Sequence, residues 1–182
     1  MDEESGLEEN PFEVKEIHEE HNVFRQVHFS DLVGPKKKRF PSEAHFAPDP
    51  DGLSVYWGQM INAMGVLITI GLSFKKDDTF KNPTEFKVLE FTVSYLRSIE
   101  GVLDLIHTPQ FNGNPAAVGS PNIPSHASVR YGIEDLEVRV NLSDYCRENR
   151  EEVFCSINAN SVLEEVEQLR LRLNDTPYHI VS

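Results

Sequence analysis

The sequence predicts a single α+β domain with a mixed or antiparallel sheet and a C-terminal amphipathic helix. Three observations predict it. Several short runs alternate polar and apolar residues at strand period. Proline, glycine and aspartate turn chemistry separates those runs. The last third carries apolar residues at helix spacing. The 182 residues suffice for one core and are short for two. Hydrophobic residues make up 39% and charged residues 26%, the balance of a chain that buries a core rather than staying disordered.

In chain order, residues 1–21 read as an acidic, poorly ordered tail ahead of a domain over 22–182. Residues 1–20 hold nine acids and one base, Lys15, so most of the formal charge of −13 sits there. A sharper reading makes this stretch an arm that docks on a basic partner through Phe12, Val14 and Ile17. Residues 23–29 then alternate, with Val23, Arg25, Val27 and Phe29 on one face and Phe24, Gln26 and His28 on the other. Gly34 to Pro41 breaks regular structure, and Asp49-Pro50-Asp51-Gly52 is a turn. Leu53, Val55 and Trp57 alternate with Ser54 and Tyr56 as a strand. A short helix over Gln59–Ala63 and a buried central strand over Gly65–Phe74 are expected next, the latter from its continuous β-branched run.

Residues 86–95 alternate again, followed by a helical turn near Ser94–Glu100 and a strand over Val102–His107. A helix over 84–100 is the competing reading. Residues 108–125 form a long Pro/Gly loop, and His126–Tyr131 a strand. Ser143 is expected to cap a helix over Asp144–Glu151, and Val153–Ile157 to be a short strand or link. Ser161 and Glu164 have capping-box spacing ahead of Val162, Val166, Leu169 and Leu173, and Pro177 stops that helix.

Composition bounds the partners. A charge of −13 argues against nucleic acid as a direct major ligand and against anionic membranes, since both need Lys and Arg. No run of 18 apolar residues exists, so no membrane span is expected. The acidic start lacks the base-then-apolar pattern of a secretory signal, so a cytoplasmic location is expected. Cys146 and Cys155 make no disulfide framework, and Asn141-Leu142-Ser143 would be an unused glycosylation triplet there.

The residues that could carry chemistry are Arg25, His28, His45, Ser54, Tyr56 and His126. Two imidazoles can act as acid and base, and a guanidinium supplies a forked donor for phosphate or carboxylate. His28 and His126 would meet if their strands paired at one edge. Arg25 and His28 point to opposite faces of a regular strand, so only a bulge or strand end would bring them together. The competing reading makes each histidine a hydrogen-bonded structural residue. No metal centre is expected, because His-Glu-x-x-His and Cys-x-x-Cys are absent and His18 and His21 lie in the tail. Phosphate-loop, dinucleotide and nucleophile-elbow motifs are also absent. Lys36-Lys37-Lys38-Arg39, the one basic block, is either a solvated loop, a nuclear-import tag, or a contact for an acidic partner or a nucleic-acid backbone.

Arg25-x-Val27-His28, Phe46-x-Pro48, Leu53-Ser54-Val55-Tyr56 and Pro124-x-His126-Ala127 resemble, in that order, motifs of a group of small bacterial proteins without assigned activity. The resemblance spans roughly residues 23–131. A looser similarity of order links His28 or Arg25, with Ser54 and Tyr56, to ADP-ribosyltransferase-like folds that hold a nicotinamide dinucleotide. Two functions follow. The first is a non-catalytic, protein-binding subunit of a cytoplasmic multi-protein system such as bacterial antiphage defence, with no cofactor. The second is a small ADP-ribosyltransferase-like or nucleotide-binding enzyme using Arg25, His28, Ser54, Tyr56 and His126, with NAD as its cofactor.

Overall fold

The run from Asn22 to His28 forms strand β1 because its alternating side chains serve two cores, one on each side of a sheet. The structure, a computed structural model, describes residues 10–75, 79–111 and 121–175. After β1 come β2 (Leu32–Val33), β3 (Phe40–Pro41), β4 (Leu53–Trp57), helix α1 (Ala63–Gly71), β5 (Phe86–Thr92) and α2 (Val93–Ser98). Next are β6 (Asp104–His107), β7 (His126–Arg130), α3 (Leu136–Glu148), α4 (Arg150–Val153) and α5 (Ala159–Asp175). The five-stranded sheet has the order β5-β1-β4-β7-β6 and every described pair is antiparallel; β2 and β3 form a small separate hairpin. The architecture is therefore α+β, with the C-terminal helix in place.

One face carries Val23, Val27, Val55, Trp57, Leu89 and Phe91, covered by α2, α3, α4 and a 3-10 turn over Glu43–Phe46. The other carries Phe24, Tyr56 and Val88, covered by α1, which in turn packs on α5. Arg170 of α5 donates from Nε to the Gly71 carbonyl at 3.1 Å, satisfying a backbone acceptor at the end of α1.

Five expectations differ. Residues 63–71 are a helix rather than the middle of a strand over 65–74. Asn62 caps it by accepting the Gly65 N–H, and its apolar residues face the sheet, α5 and an open groove. The helix expected at 59–63 is a turn. The helix expected from Asp144 begins at Leu136, capped by Asp135, and Ser143 sits inside it, donating to the Pro41 carbonyl at 2.7 Å. Asn158, rather than Ser161, caps α5, accepting the N–H groups of Asn160 and Ser161. The alternation over 86–95 stays strand only to Thr92, which caps α2. Phe154 and Cys155 are the expected link, bridging to Leu89 and donating to the Val88 carbonyl along the outer edge of β5.

Residues 10–21, expected to belong to a poorly ordered tail, run along the protein with Ile17 only 3% exposed in the core. Arg97 donates to the Ile17 carbonyl at 2.9 Å, and the Val93 and Ser94 N–H groups donate to the His21 and Glu19 carbonyls. Residues 1–9, the loop centre with Gly113, Pro115 and Gly119, and the expected helix stop at Pro177 lie outside the described residues. No helix among the described residues is long and apolar enough to cross a membrane.

Candidate functional site

The ladder between β1 and β4 covers only Val23–Trp57 and Phe24–Tyr56, whereas β1 and β5 pair over seven residues. Where β1 and β4 part, the Arg25 side chain takes the place of a backbone partner. Its Nη1 donates to the Ser54 carbonyl at 2.6 Å and its Nη2 to the His45 carbonyl at 3.0 Å. Nε is buried without a partner among the described residues. The guanidinium is thus committed to backbone, and its fork does not stand open for a phosphate.

Around it, His45 Nδ1 lies 3.4 Å from Asp31 Oδ2, with the imidazole 8% exposed. Burial, and then the neighbouring Arg25 charge, lower His45 to about 4, against the opposing pull of Asp31. The Tyr131 hydroxyl donates to the Phe46 carbonyl, and burial raises it to about 12. This cluster fixes the 43–46 turn on the sheet.

Across β4, Tyr56 sits opposite His126 and Ser54 opposite Ser128. Burial raises the Tyr56 phenol to about 12, while Arg25 and Gln26 pull it down. His126 Nδ1 lies 2.8 Å from the Thr108 carbonyl, which can only accept, so Nδ1 carries the proton. Nε2 is then a bare lone pair, buried and unpartnered among the described residues. Burial lowers His126, which holds it as the neutral imidazole at pH 7. Thr108 Oγ1 links to Ser128 Oγ at 3.1 Å.

Ser54, Tyr56 and His126 therefore share one face at the centre of the sheet, while Arg25 projects from the other face with Val23 and Val27. His28 does not join them. It lies four residues beyond Phe24 on β1, and His126 lies two strands away opposite Tyr56, so the two are separated by roughly 13 Å along and about 10 Å across the sheet. His28 caps the 3-10 turn over Phe29–Asp31, accepting the Ser30 N–H at 3.2 Å, with Glu85 3.6 Å from Nε2. The five-residue cleft expected from the sequence is not assembled, because β4 stands between the two strands that were to meet.

The basic block lies beside the end of α3 and beside α4. Lys37 and Lys38 line an open depression of about 610 Å³ together with Arg147, Arg150, Glu148 and Glu152. Arg150 Nε donates to the Arg39 carbonyl at 3.1 Å, and Arg147 pairs with Asp144 at 2.7 Å. Lys36 is exposed beside them. The surface is mixed in sign. Among the described residues no group of three or more His, Cys, Asp or Glu side chains is placed to hold a metal.

The largest described opening was not foreseen. It is a groove of about 960 Å³ between the first turns of α1 and residues 121–125, lined by Met60, Ile61, Met64, Ile68 and Ile123, with Phe12 of the N-terminal segment at its end. Lys15 and Glu165 supply its charges. The sequence signal for it was the run from Ala63 to Gly71. A helix that apolar on every side is expected to be covered all round, yet the Met64 face lies half-open. Comparison with protein-family models, curated proteins and solved structures finds no match to this chain.

Proposed function

We propose that this chain is a non-catalytic subunit that docks an apolar segment of another protein. The observation that carries the proposal is the groove: about 960 Å³, lined in part by side chains of a helix whose apolar circumference is incompletely covered. Two methionines in the lining suit a surface that adapts to a partner's side chains. The groove's charged lining residues, Lys15 and Glu165, are one of each sign, so the matching occupant is an amphipathic helix that docks chiefly through its apolar stripe. Free Cys146 and Cys155 fit a reducing, cytoplasmic setting for such a complex.

Met64→Asp tests this. Met64 lies in the first turn of α1, where a carboxylate favours the helix, and its side chain is only partly buried against the core; circular dichroism checks that the variant folds. Tagged wild-type chain purified from its native host is expected to carry a stoichiometric partner. Met64→Asp is expected to lose it, at least about tenfold, because a charge is buried against apolar surface. Retention of the partner by Met64→Asp, or a lone monomer in both, contradicts the proposal.

The enzyme alternative rests on one observation, the bare Nε2 of His126 beside Tyr56. A thermal shift with NAD or a nucleotide that disappears in His126→Ala would favour it over partner docking.

A further inference from the structure

Helix α3 sends Val138, Leu142 and Cys146 into the core, yet its outward side is bare along the first half. Leu136 and Val140, one turn apart there, are 53% and 40% exposed, and Ile133 in the turn before the helix is 57% exposed. The second half is different: Ser143 donates to the Pro41 carbonyl, and the Arg147 guanidinium lies 5.6 Å from the centre of the Phe40 ring. Val140 and Arg147 are seven residues apart, so they share one helix face. An exposed i, i+4 apolar pair on such a face is the start of a helix–helix seam.

The charges beside this seam change sign along it. At the start of α3 three acids, Glu134, Asp135 and Glu137, stand against Arg139. At the far end six bases, Lys36 to Arg39 with Arg147 and Arg150, stand against four acids, Asp144, Glu148, Glu151 and Glu152. Glu137 and Arg147 are separated by about 15 Å along the helix.

We propose that a second copy of this chain packs on this face, α3 against α3, antiparallel about a two-fold axis at Val140. A two-fold contact needs a surface on which residue i meets residue j while j meets i. Val140 lies six residues after Glu134 and seven before Arg147, so rotation about it sets Arg147 of one copy level with Glu134 of the other. Leu136 and Val140 then pack on the same pair. A foreign partner would have to carry this charge gradient reversed, whereas a second copy turned by the two-fold already does. The contact is small, in the class below about 1,200 Å², so its Kd is on the order of micromolar to tens of micromolar. The formal charge of −13 opposes approach at long range, but in about 0.15 M salt repulsion beyond about 8 Å is screened and the local pattern decides. Because α3 covers the sheet face opposite α1, the dimer leaves both grooves open, and two copies would hold a repeated partner segment with avidity. That consequence rests on the docking role proposed above; the dimer itself does not.

Sedimentation velocity of the full chain in about 0.15 M salt is expected to show the average mass rising from one chain toward two across the micromolar range. Val140→Glu, at an exposed helix position, is expected to keep its circular dichroism and to weaken association at least about tenfold. Arg147→Glu and Glu134→Lys are each expected to weaken it several-fold, and the double variant to recover it, since both copies then carry the swapped pair. Val140→Cys reads the geometry, because a residue on the axis meets its own mate. With copper–phenanthroline as oxidant it is expected to form a covalent dimer, while Leu171→Cys, 68% exposed on α5, is not. A monomer at every concentration would overturn the proposal. So would a dimer that Val140→Glu leaves intact, a double charge swap without recovery, or cross-linking no faster at 140 than at 171. A monomer that loses a native-host partner in Val140→Glu would assign the face to another protein and overturn it as well. The isolated chain carries nothing in its groove, so failure here leaves the Met64→Asp test of docking untouched.

Discussion

Replacing Arg25 with Met is expected to destabilise the protein by about 3–5 kcal/mol, because two carbonyls lose their charge-assisted donors in a partly buried site. Ser54 and His45 are those acceptors: Ser54 lies on β4 beyond its last pair with β1, and His45 lies in the 43–46 turn. The change removes both bonds at once. For a domain of this size the loss corresponds to a fall in Tm on the order of 10 °C. Lys is not expected to rescue it, since one ammonium cannot span two carbonyls in a fixed fork. A second readout separates this role from a generic core defect. Arg25 is the second-largest cause of the lowered His45, after burial, so His45 is expected to titrate at higher pH in Arg25→Met. Thermal unfolding and imidazole resonances check both. An unchanged Tm would contradict the splint role, and it would reopen the reading of Arg25 as a ligand donor.

Gly101→Ala is expected to cost about 3 kcal/mol through two separate effects. Gly101 has φ of +95°, a conformation that strains any L side chain. A methyl there would also stand 2.4 Å from Asp135 Oδ2 and 2.9 Å from Val138 Cγ2. Asp135 is the N-cap of α3, so the methyl displaces the residue that starts the helix covering one face of the sheet. Denaturant unfolding should show a lower midpoint with an unchanged slope. The variant Asp135→Ala, which relieves the clash but gives up the cap, should show a smaller loss on its own and less than additive loss in combination.

Most of the sheet was legible because each strand serves two cores and therefore alternates; β1 and β4 could be read residue by residue, and β7 as a strand. The helix α1 was not, because period carries no information when both faces are apolar. Val66, Leu67, Ile68 and Ile70 are buried on different sides of one helix, which a buried strand imitates in sequence. The start of α3 was missed for the opposite reason. Leu136 and Val140 are exposed, so its first turns show no clean apolar stripe, and Ser143 looked like a cap although its hydroxyl serves the Pro41 carbonyl. The candidate residues were chosen for their chemistry, and the fold used much of that chemistry structurally: Arg25 as a splint, His28 as a cap, His45 as a neutral core imidazole. The groove was illegible because it joins residues 58–68 to 121–125, two stretches that carry no common motif.

The most direct test of partner docking is methionine footprinting. Met60, 38% exposed, and Met64 both line the groove, so their oxidation by a brief peroxide pulse reports whether it is filled. The docking role predicts that both oxidise readily in the isolated chain and are protected several-fold in the complex drawn from the native host. Equal oxidation in the isolated chain and in native extract, at the mass of a single chain, would contradict it.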